Sequence, residues 1–274
     1  MTATWQGPAA PAPMAFGWAG KARLVLRGIP MIALLGVGLV LTLILRVVEK
    51  PFCEPHRPLT PHITVFVCRC ALLILGIRLE IQGLPIRGRG AVVANHSSWL
   101  DIFVLNAHER IYFVSKAEVA EWPGIGALAR ATGTVFIERS RLAAGGQAAL
   151  FQERLAAGHR LLFFPEGTSS DNAQVLRFKS SLFAAFFSDS LRPVLSVQPV
   201  SVSYAPPPGC PHAFFAWWGD MAFGPHVIQV LSAPSGGKVS LVYHHAFSVS
   251  AFLDRKALAD ACEKAVRAGH RVPA

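Results

Sequence analysis

An unbroken apolar run, IPMIALLGVGLVLTLIL, fills positions 29–45 and is flanked by Lys21, Arg23 and Arg27 before it and by Arg46 and Lys50 after it. Its length is at the lower edge of the ~17 to 25 residues a spanning helix needs, so it predicts a retained membrane anchor. A cleaved leader fits less well, because the run starts deep in the chain and ends in Arg-Val-Val-Glu-Lys without an Ala-x-Ala-like site. A second apolar stretch, 62–77, carries Arg69 at its centre. That residue is costly in mid-bilayer and tolerated at the interface, which predicts an interfacial or re-entrant helix, with a buried helix as the alternative. Basic flanks on both sides of the first run leave its orientation open. Residues 1–20, rich in Ala, Pro and Gly without periodicity, predict a disordered or loosely attached tail.

Beyond Gly83 the period changes. Short β-type runs (91–94, 111–115, 135–137, 160–164, 196–204 and 238–244) alternate with helix-compatible stretches (117–131, 141–157 and 175–188). A last helix is expected over 254–268, with Asp254 as its cap and Gly269 as its stop. The alternation predicts an α/β layered domain, a central mixed sheet flanked by helices. The expected organisation is a tail over 1–20, a helical membrane-docking motif over 21–82 and one catalytic domain over 83–274.

Composition agrees with contact with lipid: 52% of the 274 residues are hydrophobic and only 15% are charged. The net charge of +10 attracts polyanions. No basic stripe interleaved with aromatics and no nucleic-acid-binding pattern accompanies it, so the expected partner is an anionic membrane surface and not nucleic acid. Five cysteines without a CxxC pair suggest neither a disulfide framework nor a zinc knuckle.

Chemistry concentrates where strands end in polar turns. In Ala91-Val-Val-Ala-Asn-His-Ser-Ser-Trp-Leu-Asp101, His96 and Asp101 stand five positions apart, an offset that separates two side chains around a regular helix. They can meet only if a strand-to-helix turn folds His96 back over the first helical turn. If they meet, Asp101 fixes the imidazole tautomer and the other nitrogen can take a proton; a hydrogen-bonded structural pair is the plainer reading. Phe163-Phe-Pro-Glu-Gly-Thr-Ser-Ser170 is a second strand-to-turn junction, where Glu166 either binds a hydroxyl-bearing substrate or is merely solvated. In Gly133-Thr-Val-Phe-Ile-Glu-Arg139 a strand delivers Arg139, suited to phosphate or carboxylate. No G-x-S-x-G elbow exists, and His244-His245 with His212 and His226 lack any HExxH arrangement, so neither a serine nucleophile nor a metal is expected.

Taken in order, Asn95-His-Ser-Ser-Trp-Leu-Asp101, Gly133 to Arg139, Phe164-Pro-Glu-Gly-Thr168 and Val197-Gln-Pro-Val-Ser-Val202 resemble the four blocks of the phospholipid/glycerol acyltransferase family. The resemblance covers about residues 80–205. It implies that His96 is the general base, that Asp101 orients it, and that no acyl-enzyme forms. It further implies that Asn95, Ser98, Arg139, Glu166, Gly167, Thr168 and Ser169 shape the acceptor site, that Pro199 belongs to the acyl side, and that the donor is acyl-CoA or acyl-ACP with no cofactor or metal. The acceptor would be a membrane lysolipid and the setting the cytoplasmic face of the inner membrane. Where the family commonly reads Glu-Gly-Thr-Arg-Ser, this chain reads Glu166-Gly-Thr-Ser-Ser170, with Ser169 in place of the phosphate-binding arginine. Together with Phe178-Lys-Ser-Ser-Leu-Phe183, Trp217-Trp-Gly-Asp-Met221 and Pro225-His226, this is similar to the bacterial branch that includes lyso-ornithine lipid acyltransferases. Hydrolysis by the same His-Asp pair and a non-catalytic membrane-binding role are the rival readings.

Overall fold

The apolar run is the middle of a much longer helix, α1 (Gly17–Cys53), in the computed structural model, which describes residues 5–12, 14, 16–88, 90–122, 124–137 and 144–271. At ~1.5 Å per residue α1 is ~55 Å long, and it is long and apolar enough to cross a membrane. Both of its ends, however, are tied to the same body. Arg23 Nε donates to Ser232 O at 2.9 Å and Arg27 Nη1 to Ala233 O at 2.7 Å, two cations on the last carbonyls of α6 (Phe223–Ser232). At the other end the buried Glu49 accepts from the backbone N–H groups of Leu59 (2.6 Å) and Thr60 (3.0 Å). Glu49 thereby caps α2 (Thr60–Leu75) from outside that helix. Helix α1 therefore lies along the domain, with Ile32, Val37, Val40, Ile44 and Val47 exposed on its outer face.

The second apolar stretch is α2, and it divides its faces. Cys68, Ala71, Leu72 and Leu75 are buried in the core, whereas Phe66 and Leu73 are exposed. Arg69 is not in an apolar layer: its Nε donates to Ala107 O at 2.7 Å.

Eight strands and the remaining helices build the layers. The strands are β1 (Arg78–Gln82), β2 (Gly90–Ala94), β3 (Tyr112–Lys116), β4 (Val135–Ile137), β5 (Arg160–Phe163), β6 (Ser196–Ala205), β7 (Lys238–Tyr243) and the short β8 (Phe247–Ser248). Their order is β1-β7-β6-β2-β5-β3-β4, with β8 on β6. Strands β6, β2, β5, β3 and β4 run parallel, and β7 and β8 are antiparallel to β6, so the sheet is mixed. Alternation along each strand sends neighbours to opposite faces. Val92, Leu162, Val200 and Val202 pack in the cluster beneath α2, α3 (Asp101–His108) and α6; Ala91, Val93, Leu161, Phe163 and Val197 pack in the cluster beneath α5 (Ala144–Ala156) and α7 (Arg255–Gly269). Strand β1, inside the 21–82 segment expected to form the membrane motif, pairs with β7 as an edge of this sheet.

Three expectations change. The 117–131 helix is split into a 3₁₀ turn over Ala117–Glu121 and α4 (Ile125–Thr132), because Gly124 between them takes φ +73°. The 175–188 helix is absent; the chain is extended up to Lys179 and then forms a 3₁₀ helix over Ser180–Phe187. Its three-residue period sets the buried Phe183 and Phe186 on one face. Asp254 does cap α7, its Oδ1 accepting from the N–H groups of Lys256 (2.8 Å) and Ala257 (2.9 Å). Gly269 belongs to the helix instead of stopping it: a Cβ there would lie 2.6 Å from Ser201 Oγ and 2.7 Å from the His244 ring.

Candidate active site

The first strand-to-turn junction begins where β2 ends. In the parallel register Ala94 lies opposite Val200, and beyond it β6 continues without a strand partner on that side. The Asn95 carboxamide takes over, Nδ2 donating to Val202 O (2.8 Å) and Oδ1 accepting from Val202 N (2.7 Å). Asn172, at φ +66°, repeats the pattern two residues on with Tyr204 O (2.9 Å) and Tyr204 N (3.1 Å). Two side chains thus stand in for a missing ladder and keep β6 straight to Tyr204.

Tyr204 uses that position. Its hydroxyl, fully buried, donates to Asp101 Oδ1 at 2.6 Å. The other carboxylate oxygen of Asp101 accepts from Ser97 N (3.0 Å) and Ser98 N (3.2 Å) and lies 2.7 Å from His96 Nδ1. The five-residue offset closes because the chain turns before α3, with Asp101 N donating to Ser98 O at 3.2 Å. A carboxylate can only accept, so the network assigns the ring proton to Nδ1. Nε2 keeps its lone pair and, among the described residues, has no hydrogen-bond partner. The His96 side chain is 23% exposed and stacks on Phe164 with ring centroids 4.1 Å apart.

The second junction braces the first. Gly167, at φ +71°, closes the turn after β5 by donating its N–H to Phe164 O at 3.0 Å. Glu166 is 1% exposed; Oε1 accepts from His96 N (2.8 Å) and Oε2 from Leu176 N (2.9 Å). Burial pushes its carboxyl up to about 8, against the pull of those two amides. Ser170 N donates to His96 O at 2.9 Å, so the histidine backbone is held on both sides.

Aromatic side chains wall the adjoining surface. Trp99 meets Phe103, Phe223 and His226 edge-on, and Phe223 in turn meets Trp217. Trp99 Nε1 donates to His226 Nδ1 at 2.9 Å, and His226 is held neutral by burial, which lowers it to about 4. Trp217 N donates to Ser97 O at 2.8 Å.

A family model described as Acyltransferase matches residues 78–203, the span that contains both junctions. A lyso-ornithine lipid O-acyltransferase of Rhodobacter capsulatus is 52% identical over 97% of this chain and 96% of its own length. This chain belongs to the acyltransferase family. A protein of the same description from Pseudomonas aeruginosa is 32% identical over 90% of this chain and 93% of its own. A 1-acyl-sn-glycerol-3-phosphate acyltransferase of Neisseria gonorrhoeae is 40% identical over 41% of this chain and 46% of its own. The crystal structure of the 1-acyl-sn-glycerophosphate acyltransferase of Thermotoga maritima shares the fold, with a TM-score of 0.54 at 22% identity over 89% of this chain and 95% of that one.

Within this acyltransferase the residues singled out in sequence separate into two groups. His96, Gly167 and Thr168 reach the surface of the site, and Thr168 Oγ1 accepts from Trp5 N at 3.4 Å. Asn95, Ser98 and Glu166, expected to touch the acceptor, are instead buried and engaged by the protein: Asn95 on β6, Glu166 on two amides, and Ser98 Oγ accepting from Leu100 N at 3.2 Å. Their side chains shape the site by holding its turns. Ser169 is buried within the second turn. Arg139 lies outside the described residues. Among the described residues no His, Cys, Asp and Glu side chains cluster as metal ligands. Sequence reasoning missed Tyr204, Asn172 and His226 as site supports; a tyrosine ending a buried strand, whose hydroxyl must find a partner, was the available signal.

Proposed function

We propose that this acyltransferase moves a fatty acyl group from a thioester, of coenzyme A or acyl carrier protein, to the free hydroxyl of a lysolipid, with His96 as the base and lyso-ornithine lipid as the acceptor. The observation that carries the mechanism is the 2.7 Å contact between His96 Nδ1 and an Asp101 carboxylate held by three other donors. Such a carboxylate holds the proton of the neutral ring on Nδ1, which leaves the lone pair on Nε2, and it stabilises the imidazolium that forms once Nε2 takes a proton. Nε2 takes the hydroxyl proton as the oxygen attacks the thioester carbonyl; the tetrahedral intermediate collapses, the C–S bond breaks, and the imidazolium returns the proton to the leaving thiolate. A base is needed because an alcohol is scarcely ionised near neutrality, and the stacked Phe164 ring keeps the imidazole in one plane.

Two observations favour the ornithine acceptor: Ser169 stands where a phosphate-binding arginine is common, and a relative bearing that description aligns over nearly the whole chain. The same reading puts the outer face of α1 in the cytoplasmic leaflet of the inner membrane, where an anionic surface attracts a chain of net charge +10. The test is an acceptor panel with purified protein. Thioester consumption should require a lysolipid, and kcat/KM should be at least about tenfold higher for lyso-ornithine lipid than for 1-acylglycerol-3-phosphate, as loss of one charge-assisted phosphate contact implies. Acceptor-independent thioester loss would make the protein a hydrolase, and a preference for the phosphate acceptor would overturn the ornithine assignment.

A further inference from the structure

At the end of the sheet opposite His96, where β2, β3 and β5 begin, the chain gathers cations that the acyl-transfer reading does not use. Arg160 opens β5 and Glu166 follows its end, so at ~3.3 Å per residue this region lies ~20 Å from the catalytic turn. Two adjoining cavities open there, with volumes of ≈ 450 and ≈ 270 Å³, and share Arg110 and Arg160 as walls. The larger is also lined by His62, Arg69, Arg87 and His108; the smaller by His56, Arg57 and His159. Glu109 is the one carboxylate among these lining residues, and Arg160 already occupies it at 2.6 Å.

The cations are not matched from within. Arg69 spends Nε on Ala107 O and Arg57 spends Nη1 on Ala131 O, both backbone carbonyls that carry no charge. Burial and the charges of Arg46 and Arg154 press Arg57 down to about 10. His159, only 6% exposed, lines the smaller cavity with neither ring nitrogen hydrogen-bonded among the described residues. Burial and neighbouring arginines hold it neutral, lowering it to about 3, so it keeps an N–H to offer. Mutual repulsion of this kind is relieved by a bound anion.

The neighbouring surface says which kind. His62, Phe66, Arg69 and Leu73 follow one another at helical spacings of four, three and four, and so share one face of α2. Phe66 and Leu73 are 62% and 78% exposed. The cationic cavity therefore opens beside an apolar stripe, and α2 packs against α1, whose outer face is apolar too. A soluble phosphate has no use for that stripe, and an acidic protein surface offers little to it. A molecule with an anionic head and acyl chains matches both parts.

We propose that these joined cavities bind the phosphate headgroup of an anionic phospholipid, at a site separate from the acyl-transfer centre, with the acyl chains along the exposed stripe of α2. Occupancy fixes how the protein lies on the membrane, independently of which lysolipid is acylated.

The test titrates the full-length protein in neutral detergent with short-chain phosphatidylglycerol, short-chain phosphatidylcholine and inorganic phosphate, reading thermal stabilisation. Phosphatidylglycerol should bind saturably and at least about tenfold more tightly than either control, since it alone supplies both the charge and the chains. Arg87→Gln with Arg110→Gln, both exposed positions, should remove that preference while leaving acyl transfer in neutral detergent unchanged; Arg255→Gln on α7 should not affect it. Equal binding of the two lipids, or a double variant that binds as wild type does, would overturn the proposal. Inorganic phosphate binding as tightly would reassign the site to a soluble anion, and stabilisation by added acyl carrier protein where neither lipid binds would reassign it to a protein partner. The headgroup comparison on wild type decides the matter even if the double variant does not fold, and it is read without any acyl transfer.

Discussion

His96 is one member of a network whose other members, Ser97, Ser98, Asp101 and Tyr204, are buried. Asp101 is completely buried, and its four donors come from two segments of chain, the 96–98 turn and β6 through Tyr204. Burial and the adjacent Asp101 raise the Tyr204 hydroxyl well above the usual phenol range, so it remains a donor at any working pH. Tyr204→Phe removes that donor and leaves a buried carboxylate oxygen unsatisfied, which should cost about 1 to 3 kcal/mol. Because the loss acts through Asp101, kcat should fall by about tenfold with KM little changed. Chemical denaturation and steady-state kinetics on the same preparation check both; an unchanged kcat in a destabilised variant would make the tyrosine purely structural. At this scale the sequence pointed to His96 and Asp101 because their spacing after a strand raised a definite geometric question, which the turn before α3 answers. The burial of Asn95, Ser98 and Glu166 and their bonds within the protein were not legible, because residue type shows that a side chain can form hydrogen bonds and not whether the fold has already claimed them.

Strands were more legible than helices. The six β-type runs found in the sequence all occur as strands, since buried parallel strands are continuous apolar segments bounded by turn residues. Strand β1 was passed over because Arg78-Leu-Glu-Ile-Gln82 directly follows an apolar helix, and the 3₁₀ helix at Ser180–Phe187 was read as α because three- and four-residue periods are hard to separate over eight residues. The carboxamide ladder on β6 could not be seen at all, since Asn95 and Asn172 are 77 positions apart in the chain and come to the same strand only in the fold. That ladder makes a prediction for the element. Asn172→Gly keeps the positive φ and deletes only the two bonds to Tyr204. It should therefore destabilise by about 1 to 3 kcal/mol, and hydrogen exchange should speed up at the Tyr204 amide before the rest of β6. Uniform loss of protection along the strand would show instead that the carboxamide is not a local substitute for a neighbour.

Across the whole molecule, burial of neutral histidines works against stability in acid. His226 ionises at about 4 in the fold, because burial disfavours its charged form, against 6.5 for an ordinary histidine. The unfolded chain therefore binds more protons between those values, and stability is lost as pH falls from 6.5 towards 4, by about 3 kcal/mol from this residue. Glu166 acts in the opposite sense: raised to about 8, it lowers stability as pH rises from about 4.5. The His226 share is isolated by His226→Gln, which can still accept from Trp99 and donate to Phe214. Its acid-side slope should be flatter than that of wild type in denaturant titrations, and equal slopes would remove His226 from the account. The fold also sets α1 along the body with both ends fastened, so that its exposed apolar side chains and the aromatic wall around Trp99 belong to one body with the His96 turn. The proposed function rests on one chemical claim, that His96 Nε2 removes the acceptor proton. The most direct test compares kcat/KM for acyl transfer to lyso-ornithine lipid in wild type and His96→Ala, with circular dichroism and unfolding midpoints to establish that the variant is folded. The account predicts a loss of at least about 100-fold, the scale of general-base catalysis; transfer near the wild-type rate in a folded His96→Ala protein would contradict it.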